Sequence, residues 1–235
     1  MNELNDPAVV AAQYANEQNL RARQALYEET TGPQPHDVLW SVLCDVHPRH
    51  VLEVGGGPGE LAERMQNELR STVTFVDISP RMVELARARG IDARVGDVQE
   101  LPFPDDSFDT AVAAWMLYHV PDIDRGLSEL ERVLCPGGTL VVVTNSVHHL
   151  RELRDLIHYP AGRGELFNRE NGEQFLQRHF SQVERHDADG TVTVRDRAKL
   201  VAYRDSMQVN VGPVPEDVPM PFVIHRRTSV FAATK

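Results

Sequence analysis

The 235-residue chain has little of what would tie it to a disulfide framework, a membrane or nucleic acid. Its two cysteines, Cys44 and Cys135, stand far apart and in no metal-ligand spacing, so both are expected to be reduced thiols. No stretch approaches the roughly 18 to 20 apolar residues of a membrane span, and residues 1–30 hold no apolar run of the signal-peptide kind. A cytoplasmic, water-soluble protein is expected. Basic charge is scarce too: 24 lysines and arginines face 35 acidic residues, for a net charge of -11. Partners held through phosphates depend on basic side chains, so nucleic acid is not expected. The pairs Arg226 with Arg227 and Arg151 with Arg154 read as solvated faces. No proline-rich, serine-rich or repeated segment marks a linker, which predicts one domain.

What the chain does have is a dense glycine turn. Residues 51–59 read Val-Leu-Glu-Val-Gly-Gly-Gly-Pro-Gly, after which Leu61, Met65 and Leu69 recur every fourth residue. Buried parallel strand, tight turn and helix is the predicted order. Glycine has no Cβ, so bare backbone here can approach a ligand, and the N–H groups that open the helix face it. The ligand is expected to be nucleotide-like. Glu60 occupies the place of the third glycine in a Gly-x-Gly-x-x-Gly dinucleotide loop, which weakens an NAD reading. The Gly-Lys pair of a phosphate-cradling loop is absent, and the local charges, Glu53 and Glu60, repel phosphate.

Residues 72–76 alternate as a strand that ends at Asp77, Ser79-Pro80 supplies a cap and a first-turn proline, and Gly90 closes the helix. A carboxylate at the end of the second strand, about 20 residues past a glycine loop, is placed to accept from both ribose hydroxyls. Asp77 is therefore the predicted ribose ligand, with Ile78 and Met82 flanking a base. Residues 93–95, 110–114 and 139–143 read as further strands, and Leu127, Leu130, Val133 and Leu134 mark a helix before the last of these. Upstream, residues 1–30 read as helix, Gly32, Pro33 and Pro35 break it, and Asp37 is expected to cap a helix carrying Val38, Leu39, Val42 and Leu43. Downstream, residues 150–157 and a segment capped by Asn168 read as helices, with strands at 181–186 and 228–233.

An acidic residue two places before Gly-x-Gly-x-Gly resembles the first motif of the class I S-adenosylmethionine-dependent methyltransferases. Residues 96–109, with Gly96-Asp97-Val98, Leu101-Pro102-Phe103 and Ser107-Phe108-Asp109, closely resemble a second signature of that family. Residues 115–122 are similar to its Leu-His-His-Val-x-Asp run, with Tyr118 in place of the first histidine and His119 retained, and Cys135-Pro136-Gly137-Gly138 is similar to its third motif. The resemblance covers residues 50–144 and is closest to small-molecule enzymes of the ubiquinone/menaquinone-biosynthesis kind. It implies an α/β, Rossmann-like three-layer sandwich with a seven-stranded, mostly parallel sheet and an antiparallel last strand. It also implies S-adenosylmethionine as cofactor, a donor whose sulfonium and ammonium groups suit acidic surroundings. Donor contacts carried over are Glu53, Gly55, Gly57, Gly59, Asp77, Ile78, Met82, Asp97 through its carboxylate, Val98 through its main chain, and Ala114.

The implied division is a helical cap at 1–48, a donor-binding half at 49–145 and an acceptor-side half at 146–235. The reaction would be direct displacement onto O, N or C of a small-molecule acceptor. Alternatives are a non-catalytic donor-binding protein and an RNA methyltransferase, the latter disfavoured because 114–117 read Ala-Trp-Met-Leu and not Asn-Pro-Pro-Tyr. His119, Tyr118, His148 and Tyr14 are the candidate proton acceptors, and Arg23 is a further group that could reach the donor. The acceptor is expected between the N-terminal helix and the set His148, His149, His158, Tyr159, Arg163 and Phe167. Adjacent His148 and His149 point apart if extended, so they read as surface histidines, with no metal site.

Overall fold

The computed structural model describes residues 18–159, 166–207 and 211–235. Seven strands form one sheet in the order β3-β2-β1-β4-β5-β7-β6. They are β1 His50–Val54, β2 Thr72–Asp77, β3 Asp92–Val95, β4 Phe108–Ala114, β5 Leu134–Asn145, β6 Gln182–Val194 and β7 Phe222–Thr234. The first five run parallel, whereas β7 is antiparallel to both of its neighbours, as the sequence predicts. Chain order reverses between β1 and β4, the kind of switch point beyond whose carboxyl ends ligands bind in such sheets.

Apolar residues of the central strands feed both faces, which makes the sheet the middle of three layers. Leu52, Ala111, Ala113, Leu140 and Val142 pack on one side with Leu127 and Leu130 of the helix Ile123–Val133. Val51, Val112, Val141 and Val143 pack on the other with Leu39 and Leu43 of Pro35–Val46 and with Val83 and Ala86 of Pro80–Ala88. Such double-sided burial is why these strands read as continuous apolar runs and not as alternation.

Local signals behave as expected at Ser79, whose side chain accepts from the Met82 N–H in front of Pro80. Asp37 does not cap its helix. Pro35 takes the first helical position, where its missing N–H costs nothing, and moves the start upstream to an N-cap at Gln34. After Glu60–Arg64 the chain continues as a π-type turn over Met65–Leu69. Asn168 accepts from the N–H groups of Glu170 and Asn171, one turn ahead of the helix Gly172–Leu176, whose N-cap is Asn171.

The last two strands are far longer than their sequence pattern suggested. β7 pairs with β5 from Thr234 back to Thr228, but it continues to Phe222 against Val194 of β6. Residues 190–194 and 222–226 thus form a two-stranded ribbon past the carboxyl edge of the parallel sheet. A third core gathers on it, from Leu26, Leu150, Leu153, Ile157, Val192, Leu200 and Ile224. Its helices are Gln18–Gln24, Arg151–Leu156 and Arg197–Ser206, the last of which the sequence pattern did not announce. Residues 29–31 add to the ribbon's edge, with Thr31 N–H donating to Thr191 O and Thr193 N–H to Glu29 O. Among the described residues no helix is long and apolar enough to cross a membrane.

Candidate functional site

The glycine turn lies at the carboxyl end of β1. Gly55 has φ +63°, and a Cβ there would fall 2.7 Å from Met116 Cβ; Gly59 has φ +81°, and its Cβ would fall 2.9 Å from Ala86 Cβ. Both positions are closed to other residues by conformation and by space. The first lets the β1 and β4 loops meet, and the second seats the helix Glu60–Arg64 against Pro80–Ala88. A side chain on Gly56 would strike the carboxylate of Glu53.

Glu53 is 1 % exposed, and neither of its carboxylate oxygens has a hydrogen-bond partner. Burial pushes its pKa up to about 8; the Ala62 N–H, outside hydrogen-bonding geometry, opposes the shift, and the nearby Asp77 adds to it. Asp77, at the end of β2, is 9 % exposed, and its Oδ1 accepts from Ser79 N–H at 2.8 Å. Burial raises it to about 6 against the pull of the Ser79 and Gly57 N–H groups. Two acids held toward their neutral form beside bare backbone make a site that gains from a cation and from hydroxyl donors, and that loses from a phosphate.

The remaining predicted donor residues surround the same strand ends. Asp97 follows β3, and its oxygens accept from the Gln99 side chain at 3.0 and 3.1 Å and from the Gln99 N–H. Val98 is buried in the core, Ile78 is half-buried, and Ala114 ends β4 opposite Val143. Met82 is 1 % exposed, so its side chain serves as packing in this conformation.

Two of the candidate proton acceptors, Tyr118 and His119, share the short turn Leu117–His119 after β4, with ring centroids 4.5 Å apart. His148 is exposed, with its N–H donating to Ser146 Oγ at 3.0 Å. Tyr14 and Arg163 lie outside the described residues, as does the helix expected ahead of residue 18.

The structure corrects the reading of two basic side chains. His149 is no surface histidine: it is 5 % exposed, its Nε2 lies 3.0 Å from the Tyr27 hydroxyl, and its Nδ1 lies 3.0 Å from Arg227 O. Burial, with help from the Arg154 charge, lowers its pKa to about 3, so it stays neutral. Arg226 is no solvated arginine either. It is 2 % exposed because it shares the inward side of β7 with Ile224 and Thr228, a strand position that the short sequence pattern did not reach. Phe167 is fully buried in the core beside Phe175 and lines no opening. Sequence reasoning also passed over Trp115, whose φ of +54° is rare for an aromatic residue, and His36, whose ring lies 4.7 Å from it. Among the described residues no group of three His, Cys, Asp or Glu side chains could hold a metal ion.

Residues 52–156, a little under half of the chain, match the family described as methyltransferase domain. The chain is 34% identical over 119 residues to the ubiquinone/menaquinone biosynthesis C-methyltransferase of Geobacter sp. (strain M21), an alignment covering 46% of this chain and 51% of that protein. The chain therefore spans about half the length of this relative. Among solved structures, phosphoethanolamine N-methyltransferase 2 of Haemonchus contortus, in complex with phosphomonomethylethanolamine and S-adenosylhomocysteine, superposes with a TM-score of 0.63 at 20% identity, over 92% of this chain and 57% of that one. The [4+2]-cyclase SpnF superposes with a TM-score of 0.62 at 18% identity, over 97% and 96%. At these identities the structures establish the fold alone.

Proposed function

We propose that the protein binds S-adenosylmethionine and transfers its methyl group to O, N or C of a small-molecule acceptor by direct displacement. The observation that carries this reading is the buried, unpartnered carboxylate of Glu53 beneath the glycine turn, with Asp77 beside it. An orphaned acid at that depth is costly unless a cation meets it, and the donor carries two. Glu53 would face the cationic end, Gly55, Gly57 and Gly59 would line the approach, and Asp77 would take the ribose hydroxyls. Ile78, Asp97, Val98 through its main chain and Ala114 would enclose the base side, and Met82 would join them only by leaving its packed position. When bound, the donor supplies a methyl group on a sulfonium whose leaving group is a neutral thioether.

The chain's own task is then mainly alignment, and holding two reactants in line is worth about 7 to 11 kcal/mol. Wherever the acceptor atom carries a proton, as in a phenol, an ammonium or a ring C–H, that proton leaves with the transfer, and His119, Tyr118, His148 and Tyr14 are the candidates to take it. The division into a cap at 1–48, a donor half at 49–145 and an acceptor-side half at 146–235 belongs to the same proposal. So do a cytoplasmic location and the absence of a nucleic-acid partner. A donor-binding protein without transfer is the second reading, since the fold by itself does not fix the activity.

Calorimetry separates the classes. S-adenosylmethionine and S-adenosylhomocysteine are expected to bind at micromolar affinity, and NAD and ATP not at all; NAD binding alone would remove the proposal. Asp77→Ala should weaken S-adenosylhomocysteine binding at least tenfold and His119→Ala hardly at all, since hydrogen bonds to a charged group are worth about 1.5 to 3 kcal/mol each. Unchanged affinity in a folded Asp77→Ala protein would contradict the ribose assignment.

A further inference from the structure

The cover over the carboxyl edge of the sheet holds one buried arginine whose guanidinium is not fully bonded. Arg226 lies buried there, donating from Nη1 to Ala188 O at 3.2 Å and from Nη2 to Thr31 O and Pro33 O at 3.0 and 2.9 Å. Its Nε is buried and has no partner. The acid whose charge bears on Arg226, Asp189, is itself held by Arg169. Close by, Tyr27 keeps a partly exposed face although its hydroxyl reaches the buried His149. Besides the Tyr203 phenol, the charges that bear on Tyr27 come from Arg226, Arg154 and Arg23, and those on His149 from Arg154 and Arg226. The acids next along the chain are engaged elsewhere, Glu28 by Lys199, Glu29 by Arg195 and Glu152 by His225, which leaves the buried Nε of Arg226, among the described residues, as the open charged donor at this locus.

We infer that the acceptor carries an oxyanion, a carboxylate or a phosphate, which enters beside Tyr27 and meets the guanidinium of Arg226. This rests on the proposed methyl transfer. A buried guanidinium with an open N–H gains from an anion that restores a charge-assisted hydrogen bond. A protonated amine would meet arginine charge and a histidine that cannot take up its proton, so the same surroundings select against cationic acceptors. Tyr27, held by His149, is a positioning residue for the group that enters.

The test uses the whole chain with S-adenosylhomocysteine present and compares matched probes by calorimetry: 4-hydroxybenzoate with 4-hydroxybenzamide, phenyl phosphate with phenol, and benzylamine as the cation. The expected result is that at least one anion binds tenfold or more tightly than its neutral partner, and that this preference falls below threefold in Arg226→Gln. Which anion prevails distinguishes carboxylate from phosphate. If Arg226→Gln does not fold, the Arg23→Gln, Arg154→Gln double variant is read for the same ratio. Equal binding of neutral and anionic probes, no binding of either anion at millimolar concentration, preference for benzylamine, or a preference that survives the substitutions would overturn the inference. Failure of the underlying reading shows separately, as absent S-adenosylhomocysteine binding.

Discussion

Glu53→Gln is expected to make the empty protein more resistant to heat above pH 7 while costing it the donor. In the folded chain the Glu53 pKa is raised from 4.5 to about 8, so between these values the native state holds a proton that the unfolded state has lost. Stability therefore falls as pH rises through this window, by about 1.4 kcal/mol per pH unit, and levels off above the folded value. Two other groups act below neutrality. Asp77, raised to about 6, adds to the decline up to that pH, and His149, lowered to about 3, opposes it until the unfolded histidine has lost its proton near pH 6.5. From pH 6.5 to 8 Glu53 outweighs both, costing about 2 kcal/mol, or roughly 4 to 8 °C of melting temperature for a chain of this size. Melting curves across that range should slope downward in the wild type and lie flat in Glu53→Gln. S-adenosylhomocysteine should bind the variant at least tenfold more weakly, since a charged partner has been lost. A wild-type curve that is flat, or a variant that binds as before, would show that Glu53 is not the group that answers the donor.

Removal of residues 1–30 is expected to abolish turnover and to leave the donor half folded. The deletion takes Leu26 from the third core, the hydroxyl of Tyr27 from His149, and the ion pairs of Glu29 with Arg195 and Glu28 with Lys199. Loss of a buried leucine alone costs about 2 to 5 kcal/mol, and the newly unpartnered His149 adds to it. None of these contacts touches Glu53, Asp77 or the glycine turn. S-adenosylhomocysteine affinity should change by less than fivefold, whereas methyl transfer to any acceptor found for the full chain should drop at least a hundredfold. Full-rate transfer by the truncated chain would place the acceptor elsewhere.

Residues 49–145 were legible in the sequence because their elements are local and doubly buried. An apolar run, a glycine turn and an acid at the next strand end each announce themselves within a few residues, and β1, β2 and the cap at Ser79 lie where those signals stand. Residues 146–235 were not legible, for a physical reason visible at Arg226 and His149. Their burial is decided by partners far away in the chain, Thr31, Pro33 and Tyr27, so no local pattern distinguishes them from solvated charge. β6 and β7 were read too short for a related reason: past Thr228 they leave the parallel sheet, and their outward positions mix threonine, His225 and Arg227 with an exposed Val223. Asp37 shows the smaller kind of miss, in which a proline that looks like a breaker is the first residue of the helix.

The bonds from Arg226 to Thr31 and Pro33 join residues 195 and 193 positions apart. Contacts this distant form late, because the entropy of closing so long a loop must be met before they contribute. The strands and helices of the donor half need no such closure. During synthesis the donor half is therefore expected to take shape first, and the acceptor cover only after the ribosome has released the segment that carries Arg226, so a nascent chain would hold the donor before it can close over anything to methylate.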